Sequence, residues 1–418
     1  MKLNILLAAL LVVGYVSAFD NGVARTPPMG WNSWNLFACN INEQLIIETI
    51  DAMSSKLLKY GYQYVNIDDC WSRKEGRDNT TKELIADPIR FPRGIKYLAD
   101  YAHSKGVKLG IYSDVGFLTC AGYPASGKDF YEIDAKTFAK WGVDYLKFDW
   151  CFTDDEIRAA PWKFYGRMSQ ALNSTGRPIF YSICNWGDFK PWEWAPKISN
   201  SWRTTGDINP SWASVIDILD KNRPLHQFSG PYTFNDPDML EVEVDRPPNK
   251  LTVEEARSHF TLWAMLNSPL LLGNDIRRID DQDRKWAKDI ITNEEVIALS
   301  QDNLVLQAKV LYEDKRGEIK DNKCVDQNGC VWIEVWGKQL VGGNIAVAVL
   351  NRAGVDVNDP KFKKESHTIP LKSIGLSDTN EYVVRNLWTK QKTNAKQQFT
   401  TDSIDQHSIA VYKFTKAQ

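Results

Sequence analysis

Short apolar runs alternate with helical patterns of apolar residues from Thr26 to about residue 300. This alternation is typical of βα units built around a parallel sheet. Eight such units predict an α/β fold, the (β/α)8 TIM barrel, in which the chemistry lies where the strands end. The eight predicted strands are residues 29–32, 62–68, 108–113, 144–149, 179–184, 201–205, a weak one near Thr233, and 270–273.

Segments between the predicted strands carry apolar residues at helical spacing, which predicts amphipathic helices. Thr252 followed by Glu255 predicts a capping box at the start of a further helix. The two clearest apolar sets are Ile46, Ile50, Met53 and Leu57, and Trp162, Tyr165, Met168 and Leu172.

The pattern changes to period two after Asp302, and no helical segment follows. Residues 331, 333 and 335 are aliphatic and alternate with Trp, Glu and Trp, and similar runs occur at 345–350, 382–384 and 409–414. Such alternation predicts an antiparallel β domain. We therefore expect a signal peptide at 1–18, a catalytic barrel at 19–302 and the β domain at 303–418, packed directly together.

The N-terminus has the features of a cleaved secretory signal peptide: Lys2, an apolar run at 3–13 and a small-residue ending at 16–18. No later stretch has the ~18 uninterrupted apolar residues of a membrane span. We expect a secreted, extracellular protein, or alternatively one in a lysosome- or vacuole-like compartment. The sequons at Asn79 and Asn173 predict glycosylation in that setting.

Composition narrows the choice of partner. The formal net charge is -2, which gives no indication of nucleic acid or an acidic membrane surface as a partner. Sixteen tryptophans are more informative, because a flat aromatic face with one polar edge suits partly apolar, hydroxylated ligands such as sugars.

The fourth predicted strand ends in the sequence LKFDWC. Strand alternation places Lys147 and Asp149 on one face, with Leu146 and Phe148 on the other. A carboxylate held beside an ammonium stays ionised, which is what a carboxylate nucleophile requires. A purely structural Lys/Asp pair at a sheet end is the alternative.

Further polar residues collect at the ends of the other predicted strands, on the same rim of the barrel. Carboxylates, cations and tryptophans that converge there indicate a catalytic site. A hard cation held by the aspartates is the rival chemistry, but the sequence has no His ligand pair or spaced Asx/Glu loop, so we predict no metal. The rim residues are Trp31, Trp34, Asp68, Asp69, Tyr112, Asp114, Lys147, Asp149, Cys184, Asn185, Trp186, Arg203, Asp207, Asp236 and Asp238.

Six segments resemble the motifs of glycoside hydrolase family 27, the α-galactosidase (melibiase) family. In chain order they are ARTPPMGWNSW, YVNIDDCW, LGIYSDVG, YLKFDWC, NSWRTTGDI and NDPDML. They occur at family-like spacing within residues 21–302. The resemblance implies a TIM barrel, no cofactor, and hydrolysis of terminal α-galactosides with retention, whereas residues 303–418 resemble the family's β-sandwich only loosely.

The same resemblance assigns roles to single residues. It implies that Asp149 is the nucleophile and Asp207 the acid/base, and that Asp68 and Asp69 bind the galactose 4- and 6-hydroxyls. The other implied substrate-binding residues are Trp34, which forms a stacking wall, Tyr112, Lys147, Arg203 and Asp238.

The chemistry of retention agrees with these two carboxyl roles. A retaining glycosidase needs one ionised and one protonated carboxyl, roughly 5–5.5 Å apart. Asp149 suits the first role. Asp207 suits the second if burial or the nucleophile's charge raises its pKa, although Arg203 acts in the opposite direction.

The seven cysteines leave an odd one in a compartment that permits disulfides. By resemblance to the family, Cys39 pairs with Cys70 and Cys120 with Cys151, and Cys324 pairs with Cys330. Cys184 is left as a thiol.

Three alternative functions stay open: an α-N-acetylgalactosaminidase, a β-L-arabinopyranosidase, and a non-catalytic carbohydrate-binding protein. The last would lack Asp149 or Asp207, and both are present. The sequence leaves open whether the natural α-galactoside is a raffinose-type oligosaccharide, a galactomannan or a glycolipid, and whether the chain forms a homo-oligomer.

Two features bear on the choice of sugar. In the family, the turn that holds Asn185 and Trp186 lies over C2 of the sugar, so the bulky Trp186 predicts exclusion of an acetamido group. Asp68 and Asp69 are both short, whereas arabinopyranosidases lengthen one of the pair to glutamate. We therefore expect an α-galactoside to be preferred, with its 6-hydroxyl recognised.

Overall fold

The computed structural model describes residues 19–321, 323–354 and 361–417. The predicted signal peptide at 1–18 lies outside the described residues. Among the helices of the described part, none combines the length and the apolar character needed to cross a bilayer.

The first part of the chain folds around eight parallel strands. They are β1 (Met29–Asn32), β2 (Tyr64–Asn66), β3 (Lys108–Asp114), β4 (Tyr145–Asp149), β5 (Phe180–Ile183), β6 (Ser201–Arg203), β7 (Phe234–Asp236) and β8 (Leu270–Leu272). The order in the sheet is β8-β1-β2-β3-β4-β5-β6-β7. Leu240, just beyond β7, pairs in parallel with Leu272 of β8, so the sheet closes into the predicted barrel.

All eight predicted strands are present, and several are shorter than the prediction. β2 ends at Asn66, so Asp68 and Asp69 lie in the loop beyond it. There, the Asp68 carboxylate accepts a hydrogen bond from the N–H of Asp69 (2.9 Å). A local side-chain acceptor of this kind competes with the sheet ladder, which explains why the strand stops early.

Helices lie between the barrel strands and after the last of them, as the apolar spacing predicted. They are α1 (Trp34–Phe37), α2 (Glu43–Ala52), α3 (Gly94–Ser104), α4 (Tyr131–Trp141), α5 (Asp155–Ala159), α6 (Pro161–Ser174), α7 (Pro191–Trp194), α8 (Trp212–Asn222), α9 (Val253–Met265), α10 (Lys285–Ile291) and α11 (Glu294–Ser300). α2 continues as a single π turn, Met53–Leu57, which keeps the predicted apolar face in the core.

The capping box at the start of α9 is confirmed. Thr252 Oγ1 accepts from the N–H of Glu255 (3.2 Å), and Glu255 Oε2 accepts from the N–H of Thr252 (2.8 Å). The apolar face predicted for α6 is correct for three of its four residues. Trp162 is wrong, because it lies in the first turn of the helix and is 51% exposed.

The C-terminal part of the described chain forms an antiparallel sheet of eight strands. They are β9 (Lys309–Arg316), β10 (Val331–Leu340), β11 (Asn344–Asn351), β12 (Thr368–Pro370), β13 (Glu381–Asn386), β14 (Lys392–Lys396), β15 (Gln398–Thr400) and β16 (Ile409–Lys416). The order is β9-β10-β11-β16-β13-β14-β15-β12. Ile333 of β10 and Ile369 of β12 share one apolar core, so the sheet folds over on itself.

Two short hairpins lie outside these sheets. One joins Asp245–Arg246 to Asn249–Lys250, and the other joins Ile319–Lys320 to Lys323–Cys324. The Cys324–Cys330 disulfide closes a short loop next to the second hairpin, as the family resemblance implied.

Both faces of strand β10 are buried, which explains its unusual alternation. Ile333 and Val335 face the core of the β domain. Trp336, on the opposite face, belongs to the same apolar cluster as the barrel. The two parts of the chain therefore pack directly together, as the lack of a linker predicted.

Charged residues also join the two parts. Arg352, next to β11, donates to Asp220 of α8 (2.6 Å) and to Glu334 of β10 (2.8 Å). Its guanidinium lies over the ring of Trp332, 4.3 Å from the centroid. Arg352 and Glu334 are almost fully buried, so each depends on the other to offset the loss of hydration.

We expect Arg352→Met to lower the free energy of unfolding by about 3–5 kcal/mol, because Glu334 would lose its main buried partner. Urea unfolding of the two proteins measures the difference. The control is the double variant Arg352→Met, Glu334→Leu, which removes both charges and should be less destabilised than the single variant. Equal losses in the two variants would contradict the pairing.

Candidate active site

The end of strand β4 holds Asp149 in a fixed position. Its carboxylate accepts from the Tyr112 hydroxyl (3.0 Å) and from the N–H of Trp150 (2.9 Å). The hydroxyl of Tyr165 donates to the Asp149 backbone carbonyl (3.0 Å). Only 5% of Asp149 is exposed, so both its peptide and its carboxylate are held by buried donors.

Lys147 lies on the same face of β4 as Asp149, but its direct partner is another carboxylate. The Lys147 ammonium donates to Asp68 Oδ2 at 2.9 Å, and the same oxygen accepts from the Asn32 side chain at 2.8 Å. The direct ion pair of Lys147 is therefore with Asp68, while its charge still acts on the nearby Asp149 and acts to lower the pKa of that carboxyl. Lys147 reaches across the barrel mouth to the loop after β2.

Asp69, beside Asp68, has separate partners. Its carboxylate accepts from the N–H of Cys70 (2.6 Å) and from the N–H of Ala121 in the loop after β3 (2.8 Å). The pKa of Asp69 is raised above its ordinary value, because the effect of burial is larger than the opposing effect of these backbone donors. Asp69 thus joins two rim loops in addition to the predicted role in sugar binding.

Arg203, at the end of β6, contacts the carboxylates on the opposite side of the mouth. Its Nη2 donates to Asp207 Oδ1 (3.0 Å) and lies 2.9 Å from Asp238 Oδ2. Its Nη1 lies 3.6 Å from the sulfur of Cys184. Arg203 and Asp238 are buried, whereas the Asp207 side chain is 66% exposed.

Electrostatics in the free protein differ from the sequence-based expectation. The pKa of Asp149 is raised to about 6, mainly by burial; Lys147 acts to lower it, and the charges of Asp68 and Asp207 act in the same direction as burial. For Asp207, burial acts to raise the pKa, but the Arg203 guanidinium and the Lys147 ammonium outweigh it, and the pKa is lowered.

These directions correct two expectations. We expected the ammonium to dominate at Asp149, but the loss of hydration is larger. We also considered a raised pKa at Asp207, and Arg203 prevents it. The free protein therefore favours an ionised Asp207 and raises the pKa of Asp149 to about 6.

Asp114 supports the site, although it was not among the predicted binding residues. It is paired in register with Asp149 across β3 and β4. Its carboxylate accepts from the N–H of Gly116 (2.7 Å) and of Cys151 (2.9 Å). A Cβ at Gly116 would lie 1.9 Å from the Cys151 carbonyl oxygen, so only glycine lets these loops pack so closely. Its position at a strand end placed Asp114 among the predicted rim residues, but without a predicted role.

Two disulfides fix the loops on this side of the mouth. Cys39 is bonded to Cys70, and Cys120 to Cys151, as the resemblance implied. Asp114, Asp149, Cys120 and Cys151 offer donor atoms within 4.8 Å of one another. The two sulfurs are bonded to each other, however, so they cannot act as thiolate ligands to a metal. Cys184 is a buried free cysteine, as predicted.

Asn185 and Trp186, the two predicted site residues in the turn after β5, differ in their exposure. Asn185 is fully buried and donates to the Asp188 carbonyl oxygen, while its own Oδ1 has no partner. Trp186 is half-buried and lines a cleft with Trp150 and Phe189. Its φ of 57° is in the left-handed region, which is strained for a large side chain.

Trp34 completes the mouth at the start of α1. Its backbone N–H donates to Asn32 Oδ1 (2.8 Å), so the Asn32 side chain contacts both Trp34 and Asp68. The next residue, Asn35, donates to the buried carboxyl of Glu241. Sequence reasoning missed Asn32, which lies at the end of β1 where the strand-end rule applies.

Carboxylates, two cations and aromatic side chains on the C-terminal rim of a barrel define the site of a sugar-cleaving hydrolase. The chain belongs to the α-galactosidase family, glycoside hydrolase family 27. The family model described as "Alpha galactosidase A" matches residues 26–302. The model described as "Alpha galactosidase C-terminal beta sandwich domain" matches residues 332–414.

Relatives with the same domains cover nearly the whole chain. "Alpha-galactosidase 3" of Arabidopsis thaliana is 44% identical over 399 residues, which cover 95% of this chain and 83% of the relative. The crystal structure of α-galactosidase I from Mortierella vinacea has a TM-score of 0.83 at 36% identity and covers 95% of this chain and 99% of its own. The α-galactosidase of Saccharomyces cerevisiae with raffinose has a TM-score of 0.81 at 30% identity, covering 96% and 100%. The protein is a glycoside hydrolase of the α-galactosidase type.

We expect kcat/KM for α-galactosyl fluoride to increase with pH through a midpoint at about pH 6 before it levels off, because an Asp149 nucleophile would have to lose its proton and its pKa is about 6. Tyr112→Phe removes a donor to the ionised carboxylate, so it should shift this rise to higher pH. Initial rates at low substrate concentration across pH 4–8 give both curves. An unshifted curve for Tyr112→Phe would contradict the role of the hydrogen bond.

Proposed function

We propose that the protein is a retaining α-galactosidase that works by double displacement, with Asp149 as nucleophile and Asp207 as general acid and base. The proposal rests on the contrast between the environments of the two carboxyls. Asp149 is buried and held by Tyr112 and Trp150, whereas Asp207 is exposed and held on one side by Arg203. A fixed nucleophile and an accessible proton carrier are what the two steps require.

In the first step, an Asp149 carboxylate oxygen bonds to the anomeric carbon as the glycosidic C–O bond breaks. Asp207 transfers its proton to the departing oxygen, which leaves as a hydroxyl. In the second step, Asp207 takes a proton from water, the water oxygen bonds to the anomeric carbon, and Asp149 leaves as a carboxylate. Two inversions give net retention.

Asp207 needs a proton for the first step, although Arg203 lowers its pKa in the free protein. A bound sugar would displace water from this exposed carboxyl. Desolvation disfavours the charged form, so substrate binding raises the pKa of Asp207. Proton uptake at Asp207 then removes one of the charges that raise the pKa of Asp149, which favours the ionised nucleophile.

The remaining mouth residues would bind the galactosyl ring. Asp68 and Lys147 form one contacting pair and Arg203 and Asp238 another, so each pair presents an acceptor and a donor to sugar hydroxyls. Asp69 lies next to Asp68, and Tyr112 next to Asp149. Trp34 would stack on the apolar face of the sugar.

We also propose that α-galactosides are preferred to α-N-acetylgalactosaminides and β-L-arabinopyranosides. Trp186 is half-buried in a strained turn, which supports a fixed, bulky neighbour for C2. Asp68 and Asp69 are short carboxylates, which supports space for the C6 group. Asn185 would have to rearrange to hold a 2-hydroxyl, because it is buried against Asp188.

The similarity to a yeast α-galactosidase whose structure was solved with raffinose supports a raffinose-type oligosaccharide as substrate. We further propose the boundaries 1–18, 19–302 and 303–418, with 1–18 removed on secretion. The exposed side chains of Asn79 and Asn173 and the three disulfides support a secreted glycoprotein.

Variants of the two carboxyls test their roles. Asp149→Asn should abolish turnover of every substrate, because no nucleophile remains. Asp207→Asn should slow p-nitrophenyl α-galactoside far less than melibiose, because the nitrophenolate needs little protonation to leave. Steady-state rates of the two variants on both substrates provide the measurement. Equal slowing of both substrates by Asp207→Asn would remove it from the acid role.

Stereochemistry tests the double displacement itself. Proton NMR during the first minutes of hydrolysis should show the α-anomer of galactose before mutarotation supplies the β-anomer. A β-anomer that forms first would instead require direct attack by water.

Sugar preference is tested by kcat/KM on one preparation. We expect p-nitrophenyl α-galactoside to exceed the β-L-arabinopyranoside by roughly ten- to a hundredfold, because the buried Asp68 and Asp69 would lose a hydroxyl partner. The α-N-acetylgalactosaminide should be poorer still because of the clash with Trp186. If either rival matched the galactoside, the assigned role of Trp186 or of the aspartate pair would be incorrect.

A further inference from the structure

A cavity of about 540 Å³ lies between the barrel and the β domain. On the barrel side it is lined by the short 3-10 helix Arg223–Phe228, after α8, and by the segment that leads from α11 into β9. On the other side it is lined by β10 and by the 3-10 helix Leu371–Ile374, after β12. Its size is within the range of small-ligand sites, roughly 300–1,000 Å³, and such sites often lie between domains.

Apolar side chains form much of the cavity wall. Leu306, Leu311, Ile345 and Ile374 line it. Ile345 and Ile374 belong to the core of the β domain, so their positions are fixed by packing. Leu306 is 43% exposed, so the cavity reaches solvent on that side. A ligand with an apolar body would remove Leu306 from water.

Two shielded polar atoms on this wall have no hydrogen-bond partner in the described part of the chain, Gln307 Nε2 and His226 Nδ1. Gln307 is only 7% exposed. Its Oε1 accepts from Asn235 Nδ2 of β7 (2.9 Å), so the amide is held in place while its own N–H groups stay unpaired. A buried donor without an acceptor is unfavourable. An acceptor on a bound ligand would satisfy it.

The charged residues of the cavity wall have one sign. Lys309 and Lys338 line the cavity, and none of the lining residues that the structure describes is acidic. The Lys338 ammonium donates to three oxygens of the barrel, among them the Leu299 carbonyl oxygen (2.6 Å), so it supplies positive charge and no free donor. Asp302, whose charge acts on Lys338, is not among the lining residues. This arrangement favours an anion over a cation.

We propose that this cavity binds an amphipathic monocarboxylate, a molecule of the fatty-acid type with one apolar chain and one carboxylate. The chain would pack against Leu311 and Ile374, and the carboxylate would accept from Gln307 Nε2 within the field of the two lysines. A sugar would find no Trp, Tyr or Phe face among the described lining residues. The inference goes beyond the proposed hydrolysis and does not depend on it, because none of these residues belongs to the barrel mouth.

Isothermal titration calorimetry of the purified protein with octanoate tests the proposal. At pH 6 the octanoate carboxylate is ionised, and Lys338, whose pKa burial lowers to about 7, carries its charge. We expect a single site that binds octanoate at least about tenfold more tightly than octan-1-ol, because the alcohol lacks the charge that the lysines attract. Equal affinity for the two ligands, or no binding of octanoate, would overturn the proposal.

Variants then locate the bound octanoate. Leu306→Asp places a carboxylate on the cavity wall and should weaken octanoate binding by about tenfold or more through repulsion. Leu306→Asn, its neutral counterpart of similar shape, should weaken binding less. Gln307→Met removes the unpaired donor and should also weaken it. The control is Val325→Asp, the same change at an exposed apolar residue outside the lining, which should leave the affinity unchanged.

Thermal melts verify that each variant folds. Because Leu306 is partly exposed, its two variants decide the outcome even if Gln307→Met does not fold. If Leu306→Asp bound octanoate as tightly as Val325→Asp does, the ligand would lie elsewhere and the proposal would be incorrect.

Discussion

Two cations, the partly buried Lys147 and the buried Arg203, hold the carboxylates of the barrel mouth in place. Lys147 contacts Asp68 at 2.9 Å, and Arg203 contacts Asp238 at 2.9 Å. Both carboxylates are almost fully removed from water, which would be very unfavourable without a partner of opposite charge. The cations extend from β4 and β6, whose backbones are fixed by the sheet. The sheet thereby fixes both cations, and the cations position the aspartates in the loops beyond the strands.

The rim loops are rigid for a second reason, which is that they are joined to one another. Asp69 contacts the loop after β3, Asp114 contacts the loop after β4, and the Cys120–Cys151 disulfide joins those two loops covalently. Loops usually carry function at the expense of order. Here the carboxylates accept backbone N–H bonds that would otherwise be unpaired at strand ends, so the polar residues of the site also stabilise its structure. Removing one of them would therefore disturb both geometry and chemistry.

The sequence was sufficient for the existence of the eight barrel strands, for the capping box and for most of the helical apolar faces, because these follow from periodicity and from the geometry of parallel sheets. The list of rim residues omitted Asn32, which contacts Asp68 and Trp34. The ion-pair partners could not be predicted. Alternation placed Lys147 and Asp149 on one face, but only the closed barrel brings Asp68 within reach of the ammonium. The direction of the Asp149 pKa shift was missed for the same reason, since it depends on how far water is excluded. The disulfide pairs came from family resemblance and not from the pattern itself.

On the proposed mechanism, the first chemical step needs a protonated Asp207 and an ionised Asp149, whereas the free site lowers the pKa of Asp207 and raises that of Asp149. The Arg203 guanidinium lowers the pKa of Asp207 and so favours its ionised form, whereas burial raises the pKa of Asp149 to about 6. On the proposed mechanism, the sugar itself decides which carboxyl carries the proton: it covers the exposed Asp207, whose protonation then withdraws a negative charge from the neighbourhood of Asp149. On this mechanism, the empty site favours an unprotonated Asp207, and binding of the sugar would bring about the required protonation states.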